Sequence, residues 1–91
     1  MQLEEQFRKG SILYFARVLP NLGIYDLCEL SVRMVGNNWI SARDKRDKRV
    51  YLFSKNDINH KVFVDREDAL SKVKELEKYK TNRVFTRDKD D

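Results

Sequence analysis

Ten residues, Lys61-Val62-Phe63-Val64-Asp65-Arg66-Glu67-Asp68-Ala69-Leu70, pass from a β-strand directly into a capped helix, so the chain must mix both kinds of structure. Val62-Phe63-Val64 has the β-branched and aromatic composition of a strand. Asp65 stands where a helix needs an N-cap, and Asp68 follows three residues on. Apolar positions then recur at helical spacing through Ala69, Leu70, Val73, Leu76 and Tyr79. The predicted helix runs from about Arg66 to Lys80, with acids in its first turn and Lys78 and Lys80 in its last, as the macrodipole favours.

Upstream of this junction the signals are those of strands. Ile12-Leu13-Tyr14-Phe15-Ala16-Arg17-Val18 is an almost continuous apolar run and predicts a mostly buried strand, stopped by Pro20-Asn21-Leu22-Gly23. The next run alternates, with Cys28, Leu30, Val32 and Met34 expected on the core face and Glu29, Ser31 and Arg33 outside. Gly36-Asn37-Asn38 marks a hairpin, because these residues tolerate the positive φ of tight turns, and Trp39-Ile40-Ser41-Ala42 returns as the third strand. Val50-Tyr51-Leu52-Phe53 is the fourth strand, Ser54 to Asn59 a helical turn, and Val62-Phe63-Val64 the fifth strand. This order predicts an α+β fold: a small five-stranded antiparallel barrel of the Src-homology-3 type, or a strongly curved open sheet, with a C-terminal helix. Domain organisation is expected as a lead-in over 1–10, either packed through Phe7 or disordered, a single domain over 11–80 and a charged tail over 81–91 that frays at its end.

A chain of 91 residues has a small core and little room for a deep enzymatic cleft, so binding is the expected mode of action. With one cysteine there is no disulfide framework, and Met1-Gln2-Leu3-Glu4-Glu5 carries acids where a signal peptide needs bases, which leads to an expected cytoplasmic location. No apolar run approaches the roughly twenty residues of a membrane span.

The net charge is +4, and its placement is uneven. Residues 1–10 and 65–80 are each neutral, whereas Arg43-Asp44-Lys45-Arg46-Asp47-Lys48-Arg49 holds five bases and two acids. The site expected from the sequence is therefore a partner-binding loop made of Arg43, Lys45, Arg46, Lys48 and Arg49, in salt-sensitive contact with phosphates or an acidic protein surface. The competing reading is a solvated connection in which Asp44 and Asp47 partly neutralise their neighbours, and those acids also weigh against nucleic acid.

Other constellations read more plainly as structure. Ser54, Asp57 and His60 are triad residue types, but no glycine-rich elbow presents Ser54, and local capping accounts for Ser54 and Asp57. No catalytic residue is assigned. His60 and Cys28 have no metal-ligand spacing, and Cys28 reads as a small buried hydrophobe. Gly10, Gly23 and Gly36 each stand alone at a boundary, without a phosphate-cradling pattern, so no cofactor is expected. Tyr14, Phe15, Trp39, Tyr51, Phe53 and Phe63 lie on strands, where rings fill the core unless they face solvent and can stack on bases.

The segments Lys9-Gly10-Ser11-Ile12-Leu13-Tyr14-Phe15-Ala16-Arg17-Val18, Ile24-Tyr25-Asp26, Tyr51-Leu52-Phe53-Ser54, Asp57-Ile58 and Val62 to Leu70 together resemble short proteins of Gram-positive phages and mobile elements, over about residues 9 to 80. The resemblance implies origin, and it transfers no functional residue. It makes anti-defence action, anti-CRISPR included, an expectation: a non-enzymatic protein that binds and inhibits a larger host effector protein or ribonucleoprotein in the host cytoplasm, through an acidic surface or guide RNA. Dense negative charge mimicking DNA is excluded at net +4. The second expectation is a nucleic-acid-binding accessory or regulatory module that uses the same loop and the open side of the sheet.

Overall fold

The computed structural model describes the backbone of residues 3–90 and the side chains of residues 3–78. A short helix α1 (Leu3–Gln6) precedes β1 (Ile12–Leu19), and a 3₁₀ turn (Pro20–Leu22) leads into the long β2 (Ile24–Val35). Then come β3 (Trp39–Asp44), β4 (Val50–Ser54), a second 3₁₀ turn (Lys55–Asp57), β5 (Val62–Phe63) and α2 (Arg66–Asp90). The sheet order is β4-β3-β2-β1-β5, with antiparallel pairing throughout. The terminal strands β4 and β5 both deliver side chains, Phe53 and Val62, to one cluster with Leu13, Leu30 and Ile40. The sheet therefore curls around that cluster as a half-barrel and stays open between β4 and β5.

Alternation sorts the side chains into two layers. Leu13, Cys28, Leu30, Val32, Ile40, Ala42, Phe53 and Val62 fill the concave side, and Leu3 and Phe7 cover one end of it. Phe15 makes edge-on ring contacts with Tyr51 and Phe53 at centroid distances of 5.1 and 5.0 Å, the geometry aromatic quadrupoles favour. On the convex side Ala69 and Val73 of α2 pack with Ala16 and Phe63, flanked by Tyr14, Tyr25 and Leu27. Leu70 and Leu76 of the expected stripe are half-buried, and the side chain of Tyr79 lies outside the described residues. Because β1 is covered on both faces, its sequence is a continuous apolar run and not an alternation.

Asp65 caps α2 as the sequence predicts: its Oδ1 accepts a hydrogen bond from the Glu67 backbone N–H at 2.9 Å. The second 3₁₀ turn is held in a similar way, with the Ser54 N–H donating to Asp57 Oδ2 at 2.9 Å. The helix, however, runs past the expected end at Lys80 to Asp90, since no glycine or proline follows to stop it.

Two further expectations are corrected. Met34 is 58% exposed instead of buried, because a β-bulge at Arg33 shifts the register: Val32 pairs with Ala42 but Met34 with Ser41. One extra residue turns Met34 outward and brings Val35 against the core. At the hairpin, Gly36 does not have positive φ. Its requirement is space, because a Cβ there would collide with the indole of Trp39.

We expect Leu3→Ala, at a site only 2% exposed, to cost about 2–5 kcal/mol in urea unfolding, as a core truncation does. A loss below about 0.5 kcal/mol would show that the N-terminal helix is not part of the core. Asp65→Ala should cost about 0.5–2 kcal/mol through loss of the cap.

Candidate functional site

The charged segment divides between a strand and a loop. Arg43 is not in the loop: it belongs to β3, paired with Ser31 of β2 and Val50 of β4, because alternation carries the strand to Asp44 before the chain turns. Lys45 to Arg49 form a compact turn. The Asp44 N–H donates to Arg49 O at 2.7 Å, and the Lys48 N–H donates to Asp44 O at 3.1 Å.

The two acids serve the backbone of this turn. Asp44, 1% exposed, accepts the Arg46 N–H on Oδ1 at 2.7 Å. Asp47 Oδ1 accepts the Arg49 N–H at 2.9 Å, and its other oxygen lies 3.8 Å from Arg49 Nε. Such Asx-type bonds fix a turn that would otherwise be mobile. They also weaken the objection that interleaved acids repel phosphate, since Asp44 is turned inward and Asp47 is held beside Arg49.

The consequence for the bases is a sorting by availability. Lys45 Nζ forms a 2.7 Å ion pair with Glu29 Oε2, and this hydrogen bond, then the carboxylate charge, raises the Lys45 pKa. Arg49 is held beside Asp47. Arg46 lies beside Tyr14, Glu29 and Arg66 at a smaller cavity of about 380 Å³, where the turn meets the start of α2. Lys48 and Arg43, by contrast, face a groove of about 640 Å³ together with Lys9, Ser31, Arg33 and Met34; Lys45 and the buried Asp44 also line it. Among the described residues no acid pairs with Lys9, Arg33, Arg43 or Lys48.

Three parts of the chain make this groove. Gly10, with φ 94°, permits the bend that lays the N-terminal segment along β2: its N–H donates to Val32 O at 2.8 Å, which places Lys9 at the rim. The bulge at Arg33 supplies a second cation. The third contribution is Lys48, a residue with a Cβ that occupies the left-handed region at φ 65°. Glycine or asparagine would hold that conformation at less cost, so strain is borne where an ammonium group meets the groove.

Lys9, Ser31 and Arg33 are groove residues that sequence reasoning missed. The available sequence signal for Lys9 was the glycine that follows it, and for Arg33 it was the adjacent apolar pair Met34-Val35, which breaks the alternation. Of the triad residue types, Asp57 is engaged by the Ser54 backbone and lies 3.8 Å from Lys61 Nζ, and His60 is exposed. Cys28 is fully buried next to Asp44, and burial, reinforced by that carboxylate, pushes its thiol pKa up. No helix among the described residues is long and apolar enough to cross a membrane.

Comparison of the chain with family models, with curated proteins and with solved structures gives no match.

Two outcomes follow. Lys48→Gly should stabilise the fold by about 1 kcal/mol through release of the left-handed strain, although it removes a groove charge; destabilisation in urea would show that the Lys48 side chain contributes packing. Cys28 should resist a thiol reagent at pH 8 and react at the rate of a free thiol in urea. Its native pKa lies above the unfolded value, so the stability it contributes is whole below about pH 8.5 and is lost as pH rises through the native pKa. Rapid native labelling would contradict its burial.

Proposed function

We propose that this protein is a non-enzymatic binding module that holds a phosphodiester backbone in the groove formed by Lys9, Arg33, Arg43 and Lys48. The observation that carries the reading is that these four cations converge on one side of the sheet without acidic partners among the described residues, while the nearby acids are committed to the turn. Long cationic side chains around an open groove contact phosphates without reading base identity, and their charge steers association.

The inhibitor of a larger host machine is a form of the same proposal. A ribonucleoprotein in the host cytoplasm, such as a CRISPR effector with its guide RNA, offers an exposed backbone, and the resemblance to phage proteins supports this form. An accessory nucleic-acid module is the alternative form, and both use the same contact. Of the loop residues expected from the sequence, Arg43, Lys45, Arg46, Lys48 and Arg49, this reading keeps Arg43 and Lys48 and adds Lys9 and Arg33.

The test is fluorescence anisotropy with labelled RNA over a salt series. If four phosphates are neutralised, log affinity should fall with log salt at a slope of about −3 for a single strand. Each of Lys9→Gln, Arg33→Gln, Arg43→Gln and Lys48→Gln should flatten that slope by about 0.7, whereas Arg46→Gln with Arg49→Gln should change it little. Unaltered binding by the fourfold glutamine variant would overturn the proposal, and tight binding to an acidic protein with a shallow salt response would reassign the groove to a protein partner.

A further inference from the structure

Helix α2 packs on β1, β5 and the first half of β2, and leaves the convex face of β3, β4 and the end of β2 uncovered. Side chains on that open face follow from the register. Ile40, Ala42 and Asp44 point to the concave side, so Trp39, Ser41 and Arg43 lie on the other face, where Trp39 and Arg43 are exposed and Ser41 is buried among its neighbours. Ser41 pairs with Met34 on one side and Leu52 on the other, while Arg43 pairs with Ser31 and Val50. The open face thus carries an apolar patch of Trp39, Met34, Leu52 and Val50, which are 38, 58, 71 and 45% exposed. Met34 also lines the groove, so patch and cations form one continuous surface.

Most aromatic rings of the strands are taken up by the two cores: Phe53 and Phe63 are buried, and Tyr14, Phe15 and Tyr51 pack against them. Trp39 is the exception. Its indole rests against Gly36, where a Cβ would collide with it, so the hairpin positions the ring beside the sheet. Trp39 and Arg43 are four residue steps apart on β3, which sets their backbone positions about 13 Å from one another.

We propose that this open face is a base-stacking platform with Trp39 as the stacking ring, so that the groove's partner is a single-stranded nucleic acid. The inference rests on the phosphate-binding reading of the groove and adds to it. Cations alone would accept any polyanion. A positioned, exposed indole next to them selects a polyanion that offers unpaired π-faces, and a duplex keeps its bases stacked inside. Met34 and Leu52 extend the apolar surface on which a splayed base can rest, at a distance from the charged turn that leaves the backbone in the groove.

Trp39 is the single tryptophan, so intrinsic fluorescence reports directly on it. The experiment titrates the full chain with oligouridine, with an RNA duplex of equal length, and with inorganic polyphosphate, for the wild type, Trp39→Leu and Trp39→Phe. The expected result is quenching of Trp39 by oligouridine, weaker quenching by duplex and little by polyphosphate. Trp39→Leu should lose about 5- to 150-fold in oligouridine affinity, the range of one stacked base, with polyphosphate affinity unchanged, and Trp39→Phe should recover most of the loss. Unchanged polyphosphate binding also shows that the variant is folded. Equal oligouridine affinity for wild type and Trp39→Leu, or equal wild-type affinity for duplex and single strand, would overturn the stacking platform while leaving the groove standing. If neither polyphosphate nor oligouridine binds the wild type, the groove reading itself fails and the platform with it.

Discussion

Burial of β1 on both faces is the constraint on which the rest depends. Leu13 and Phe15 project into the concave core, while Tyr14 and Ala16 of the same strand lie against Phe63 and the helix side chains Ala69 and Val73. β1 also carries the backbone ladder in both directions, to β2 over its whole length and to β5 through Tyr14 and Phe15. Each large side chain that loses its water there contributes about 1.5–3 kcal/mol, so neither layer forms without the strand they share. The helix, placed by its Asp65 cap at the end of β5, covers one part of the convex face and leaves another open. The groove exists because α2 reaches only as far as the first half of β2.

A second constraint is the inward Asp44. Its carboxylate is buried under the turn, with Oδ1 engaged by the Arg46 N–H and Oδ2 without a hydrogen-bond partner among the described residues. A buried carboxylate with one unsatisfied oxygen is costly, and it sits in the turn that sets where Lys45, Arg46 and Lys48 project. Together with the left-handed Lys48, it puts conformational cost into this turn. Strain is concentrated next to the groove, which is where a binding surface gains from a fixed arrangement of charges.

How much of this was legible in the sequence depended on the range of the interactions involved. Local rules found the Asp65 cap, the 3₁₀ turn after Ser54, the buried β1 and the alternation from Cys28 to Val32, since each is set by residues within a few positions. They erred where one residue shifts the period: Arg33 bulges out, and Met34 is exposed. The end of α2 was missed because the apolar stripe fades before the helix stops. Arg43 was read as loop because its charge outweighed its place in the alternation. The groove was the least accessible feature. Lys9, Arg33 and Lys48 become neighbours through the pairing of the N-terminal segment with β2 and of β2 with β3, and no local pattern in the sequence encodes that proximity. The concentration of charge in residues 43–49 is evident in the sequence, but only Arg43 and Lys48 of its unpaired bases line the groove with Lys9 and Arg33.

Binding is centered on the open sheet face together with Lys48, and not on the tip of the turn at Arg46 and Arg49. Backbone amide chemical shifts followed by NMR during titration with a short single-stranded RNA test it most directly. The account predicts the largest changes at Ser31, Arg33, Trp39, Arg43 and Lys48, with small ones at Arg46, Asp47 and along α2. Changes confined to Arg46 and Arg49, or clustered on the helix, would contradict it.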